Sequence, residues 1–291
     1  MNLILKLSLV AVSSLALAGC GSAAKKADAN SGGTSHEAEL PALDGDTADA
    51  DMPTLKSGAE AKGTSTTIDP KYKPLAQAIR AGRSKLVTDE AAKLLGTNAY
   101  DPIALNALAV LHLKRGHPAA TQLLLNKAIE KSPANAALFN NLGVALVQLG
   151  DEPGALVAFK KAIRADVGHR ETLGNLGSLY MKGGDVTRAL PLLEQSYKAN
   201  RASLGTANNY AIALRMSGDL EGASKIYDEI LKADPKNLNA MVNDAILLID
   251  FMNKPKDGLT LVYKIKFLET DRKDVVARAN ALEKKAKAAL Q

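Results

Sequence analysis

Glycine returns in this chain at a fixed interval. Gly116, Gly150, Gly184 and Gly218 stand 34 residues apart, and Asp151, Asp185 and Asp219 directly follow three of them. Other positions keep the same step. Before the glycines come Ala109, Gly143, Gly177 and Ala211, each preceded by Leu108, Leu142, Leu176 or Tyr210. After them come Thr121, Ala155, Ala189 and Ala223, then Leu125, Phe159, Leu193 and Tyr227, then Ala128, Ala162, Ser196 and Ile230. Pro133 and Pro235 close two of the units. A period of this length means stacked supersecondary units, each too small to bury its apolar face alone. Leu and Ala dominate, and aromatic residues are only 4% of the 291, which disfavours a β-sandwich or barrel.

The pattern resembles the tetratricopeptide repeat, a 34-residue helix–turn–helix unit. The resemblance covers 102–135, 136–169, 170–203 and 204–237. It implies an all-α fold, a superhelical solenoid of helix–turn–helix repeats. Each recurring residue then has a physical task. The small residue on the first helix lets the second pack closely. The glycine ends the first helix, where a left-handed backbone is needed. The alanine of the second helix sits where two helices nearly touch, and the large apolar residue four positions later fills the gap to the next unit. Proline stops the second helix.

Weaker units flank these four. Residues 71–101 hold a helix near Leu75–Ala81, a break at Gly82 and a second helix near Asp89–Leu95. Residues 238–270 start a helix at Leu238 that runs to about Phe251. A turn at Asn253-Lys254-Pro255 and a helix from about Gly258 to Leu268 follow. Here Asp244 and Ala245 replace the usual Leu-Gly pair, and the turn is expected to be lengthened. The array thus spans 71–270, and 271–291 reads as one amphipathic capping helix.

The N-terminus reads as an address. Leu7 to Ala18 is mostly apolar, too short to span a membrane and the right length for a signal-peptide core. It ends Leu17-Ala18-Gly19-Cys20, which resembles the lipobox of bacterial lipoproteins. The resemblance implies removal of residues 1–19 and acylation of Cys20, the only cysteine in the chain. Two or three acyl chains anchor stably where one does not. Gly21, in place of the Asp that retains enteric lipoproteins at the inner membrane, implies the outer membrane. A single cysteine also excludes an intramolecular disulfide and a Cys-rich zinc site.

Residues 21–70 are rich in Gly, Ser, Thr, Ala and Asp and carry a net charge of −5. Such a segment cannot bury enough surface to offset its ordering entropy. With Cys20 it reads as a disordered linker with an r.m.s. span of roughly 40 Å. The remainder, 71–291, is +10, and 251–291 holds ten Lys or Arg against five acids. That basic end reads first as a solvated helical face. No basic–aromatic stripe or nucleic-acid motif accompanies it, so nucleic acid is not an expected partner.

In arrays of this family the first helices line the concave face. The residues expected to point into it are Asn106, Val110 and Leu113, then Asn140, Val144 and Val147. The next two units contribute Ser178 and Met181, and Asn208, Ile212 and Arg215. Asn141, Asn175, Asn209 and Asn243 recur beside this stripe. The amides could bond a peptide backbone and the aliphatic residues could seat apolar side chains, or the whole stripe could simply pack against neighbouring helices. The inner positions near the helix starts carry no Lys or Arg, which argues against a clamp for a C-terminal carboxylate.

No phosphate-binding loop, zinc HExxH or nucleophile elbow occurs. Ser22-Ala23-Ala24-Lys25 lies in the linker, and His36, His112, His117 and His169 have no metal-ligand spacing on one helix. No catalytic residue, metal or cofactor is expected, and no small-molecule substrate. The layout of lipidated cysteine, tether and repeats is similar to that of lipoproteins in gliding-motility complexes. It is also similar to pilotins and other lipoproteins of type IV and tight-adherence pili. Accessory factors of peptidoglycan or outer-membrane protein assembly are a further class. The expected partners are therefore cell-envelope proteins, with the membrane held through the lipid.

Overall fold

The computed structural model describes residues 68–268 and 270–291. The expected signal peptide, Cys20 and the acidic linker as far as residue 67 lie outside the described residues. Among the described residues, every regular element is helical.

A short 3-10 turn, Pro70–Tyr72, leads into α1 (Lys73–Arg80) and α2 (Ser84–Thr97). Then come α3 (Pro102–Lys114) with α4 (Pro118–Lys131), and α5 (Ala136–Leu149) with α6 (Glu152–Ala165). α7 (Arg170–Lys182) pairs with α8 (Val186–Ala199), and α9 (Leu204–Ser217) with α10 (Leu220–Ala233). α11 (Leu238–Ile246) runs on as a π turn, Leu247–Phe251, and pairs with α12 (Pro255–Phe267). The last helix is α13 (Lys273–Ala288).

Local chemistry sets the starts of these helices. Asp101, Asn135, His169, Ser203 and Asn237 recur every 34 residues, and each accepts a backbone N–H from the first turn of the first helix that follows. Asp151, Asp185 and Asp219 cap the second helices α6, α8 and α10 in the same way. Capping oxygens satisfy donors that the helix itself leaves free, at about 1 kcal/mol each. Their spacing therefore phases the array.

The ends are set by backbone handedness. Gly82, Gly116, Gly150, Gly184 and Gly218 have φ between +64° and +94°, all 34 residues apart. After them the chain bonds back across the turn, as where Asp151 N–H donates to Leu146 C=O and Asp219 N–H to Leu214 C=O, both at 2.9 Å. Gly82 thus brings the first helix pair into the same frame as the four clear units.

The last pair departs from it. Its positive-φ residue is Asn253, one position late. The extra residue is not in the turn, as the sequence suggests, but inside the first helix. Met252 N–H reaches Leu247 C=O, and Lys254 N–H reaches six residues back to Leu248 C=O at 2.8 Å. The turn itself, 252–254, is no longer than 115–117 or 183–185. A π turn absorbs an inserted residue without breaking the helix.

Packing runs in series. Each helix contacts its neighbours in the chain, and first helices of successive units also touch: α3 with α5, α5 with α7, α7 with α9, and α9 with α11. No two second helices come into comparable contact. The array therefore curves with its first helices on the inner face. The small residues make this possible. A Cβ at Gly143 would lie 2.5 Å from Phe159 Cε1, and one at Gly177 would lie 2.7 Å from Leu193 Cγ. α13 closes the stack on α12 and α11, burying Val275, Ala279, Leu282 and Ala286 on one face.

Candidate partner-binding face

The inner face is built by α3, α5, α7, α9 and α11, and an asparagine ladder ties them together. Asn141 Nδ2 donates to Asn106 Oδ1, Asn175 Nδ2 to Asn140 Oδ1, and Asn243 Nδ2 to Asn208 Oδ1, each at 2.9 Å. Each of these three rungs joins one unit to the next across 35 residues. One rung is different. Asn209 would meet position 174, which is glycine, and donates instead to Ser178 Oγ at 2.9 Å. Ser178 in turn donates to Gly174 C=O at 2.7 Å.

The ladder uses the groups that a bound backbone would need. Asn140 Oδ1 also accepts from Thr172 Oγ1 at 3.2 Å, while its Nδ2 donates to Asn141 Oδ1 at 3.3 Å. Asn106 and Asn140 are each 6% exposed, so these amides brace one unit against another. The aliphatic positions behave alike. Val110, Leu113, Val144, Met181 and Ile212 are buried, as is Ser178. Leu113, Val144, Met181 and Ile212 belong to one continuous core spanning α3 to α9. Of the expected inner residues, Val147, Asn208 and Arg215 stay half-buried and reachable.

His169 supports the same network from below. It caps α7, and its ring Nδ1 faces the Thr172 N–H at 3.3 Å and the Thr172 hydroxyl at 2.7 Å. Burial lowers its pKa below the ordinary imidazole value, against an opposing pull from Glu171. Its Nε2 lies 3.8 Å from Glu171 Oε2.

What the face offers outward lies at one edge. Leu149, Met216 and Phe251, near the C-terminal ends of first helices or the turn beyond, are more than two-fifths exposed. The Arg215 guanidinium lies 4.8 Å from the Phe251 ring centroid. This edge escapes a reading confined to the inner stripe. The one sequence signal for it is large apolar residues just before the left-handed turn, where neighbouring units place Arg115, Gly183 or Lys182.

Models of the tetratricopeptide repeat match residues 106–168 and 180–243. This is a tetratricopeptide repeat protein. Solved structures agree on the fold. YrrB, described as a tetratricopeptide repeat protein with an unusual peptide-binding site, is 20% identical. It matches over 64% of this chain and 96% of its own, with a TM-score of 0.53. The Pseudomonas aeruginosa pilF protein is 18% identical over 71% of this chain and 94% of its own, with a TM-score of 0.61. A tetratricopeptide repeat protein of Thermus thermophilus is 23% identical over 61% and 98%, with a TM-score of 0.51. At these identities the likeness is one of fold. No curated protein matches the chain. Tetratricopeptide repeats bind protein partners, and a protein-interaction scaffold is the function this architecture serves.

Proposed function

We propose that this protein is a non-enzymatic, lipid-anchored scaffold of the bacterial outer membrane, which holds envelope proteins of a trans-envelope machine. One observation carries the reading: Leu17-Ala18-Gly19-Cys20 closes an apolar run and is followed by an acidic, Gly- and Ser-rich stretch before the first helix. Among the described residues no helix is long and apolar enough to cross a membrane, so an anchor would have to come from that N-terminal segment. The tether lets the solenoid reach away from the membrane. The repeats then act as a stiff platform, since their asparagine ladder joins one unit to the next and Leu149, Met216 and Phe251 offer apolar surface at one edge of the inner face.

Gliding motility is the machine to test first, on the strength of the layout of anchor, tether and repeats. Secretin assembly for a type IV or tight-adherence pilus is the alternative, and peptidoglycan or outer-membrane protein assembly a third. The experiment is crosslinking in cells, mild detergent extraction and mass spectrometry, run beside Cys20→Ser. Recovery of one set of motility proteins, lost with Cys20→Ser, supports the first reading. Recovery of a secretin whose multimers fail without this protein moves it to the second. An unaltered partner set and unaltered membrane fractionation in Cys20→Ser would sink the anchored scaffold.

A further inference from the structure

Two departures from the repeat meet at one cleft. Where earlier units place Leu108, Leu142, Leu176 and Tyr210, the last places Asp244. It is 6% exposed, and its Oδ1 is buried with no hydrogen-bond partner among the described residues. Three residues later the π turn begins and brings Leu248 to the same place. The insertion also changes the facing helix. A Cβ at Gly258, which stands where other units have Thr121, Ala155, Ala189 and Ala223, would overlap Ile249.

Packing does not account for Asp244. A buried carboxylate without a partner is destabilising, and the repeat has a ready apolar choice at that position. A buried polar group without a partner calls for an explanation, and a bound donor supplies one. Around it opens a cleft of about 390 Å³ between α10, α11 and α12. Leu231, Leu248 and Leu261 form its apolar walls, and Asp228 and Asp257 stand among its lining groups.

We propose that this cleft binds an organic cation, an alkylammonium or guanidinium whose stem lies along the three leucines and whose charged head meets Asp244. Once ionised, the Asp244 carboxyl only accepts hydrogen bonds and carries a negative charge, so it selects a positively charged donor. The volume exceeds that of a single ion. No group of three or more His, Cys, Asp or Glu among the described residues is placed to hold a metal. An anion would meet three carboxyl groups. The cation comes from a partner's Lys or Arg side chain or from a free polyamine. Lys232 and Lys264, both exposed among the lining residues, are the intramolecular competitors.

The test is carboxyl NMR on the folded chain labelled at aspartate, titrated with Nα-acetyl-lysine amide, Nα-acetyl-arginine amide, putrescine or neutral Nα-acetyl-norleucine amide. The facing ionisable groups are Asp228, Lys232 and Tyr227 on α10 and Asp257 and Lys264 on α12. The expected result is saturable movement of the Asp244 signal with the cations, and a titration midpoint lowered by at least one pH unit, a tenfold preference for the ionised carboxyl. Asp244→Leu, which restores the repeat's apolar residue, should fold and abolish the response at Leu248 and Leu261 amides. A stronger response to the blocked amides than to putrescine assigns the cation to a polypeptide, and the reverse assigns it to a polyamine. Equal movement with the norleucine amide, no movement with any probe, or a response that survives Asp244→Leu would overturn the proposal. A midpoint that shifts only when Lys264 or Lys232 is replaced by Met would show a lysine of the protein itself in the cleft, and would overturn it too.

Discussion

Asn175 and Asn140, 35 residues apart, share a hydrogen bond of 2.9 Å that ties α7 to α5. The same Asn140 oxygen receives the Thr172 hydroxyl. Truncating Asn140 removes the shared acceptor of the buried Thr172 hydroxyl and the half-buried Asn175 amide, and losing hydrogen bonds of this kind costs about 1–3 kcal/mol. Asn140→Ala is therefore expected to lower stability by roughly 2–3 kcal/mol in a denaturant titration. Adding Asn175→Ala to it should cost less than the two single changes summed, because the second removes a group the first has already orphaned. Strict additivity would show that the rung carries no coupling. Gly174→Asn should not repair the broken rung, since a Cβ at Gly174 meets Ser196 Oγ at 2.9 Å.

The ladder marks how far the sequence could be read. The fold was legible because it depends on residues whose spacing equals their spatial repeat: glycines with a left-handed backbone, small residues at crossings, caps at helix starts. The asparagines were visible as a recurrence too, but their partners were not. A side chain beside a stripe has the same spacing whether it points at a ligand or at the next unit. Only the approach of the first helices decides, and that depends on Gly143, Gly177 and their opposite side chains together. The buried state of Val110, Val144 and Ile212 has the same cause. The inserted residue of the last unit was visible as an offset, but a one-residue surplus can enter a turn or a helix, and the packing of Ile249 against Gly258 belongs to the helix.

Close packing at Gly143 should be sensitive to a single methyl group. The added Cβ would lie 2.5 Å from Phe159 Cε1, a distance that the stiff ring cannot relieve by rotating an end group. Gly143→Ala is expected to cost about 1–3 kcal/mol by overpacking. Gly143→Ala with Phe159→Leu recreates the Ala109–Leu125 pair of an earlier unit and should recover part of that loss. Thermal melts of the three variants decide it. A double variant less stable than Gly143→Ala alone would show that the methyl group is not what displaces the ring.

Two other glycines should respond in opposite directions to the same substitution. Gly96 lies within α2 with nothing near its missing Cβ, and its φ is not positive. Replacing it by alanine restricts the unfolded chain and favours the helix, so Gly96→Ala should stabilise by up to about 1 kcal/mol. Gly218 also has open space, but its φ is +94°, which L residues adopt only under strain. Gly218→Ala should destabilise by about 1–2 kcal/mol. Chemical denaturation midpoints compare the pair directly, and equal shifts would contradict the backbone assignment.

Asp244 should write its position into the pH dependence of stability. Burial pushes its carboxyl up to about 7, with the negative charge of Asp228 adding to the effect. An unfolded Asp titrates near 3.9. Between those values the folded chain holds a proton that the unfolded chain has lost, so stability falls as pH rises from about 4 to about 7. Below the lower value both states are protonated and above the upper one both are ionised, so the contribution is flat on either side. The full span is worth at most about 4 kcal/mol. His169 works the other way at the acid end, because its lowered pKa makes the unfolded state the better proton acceptor there. The difference between the natural chain and Asp244→Asn removes that shared contribution. The variant is expected to gain on the natural chain steadily across this window, and Asp244→Leu to exceed both above it. Unfolding free energies measured at several pH values test this, and parallel curves for the natural chain and Asp244→Asn would show that Asp244 titrates as an ordinary exposed carboxylate.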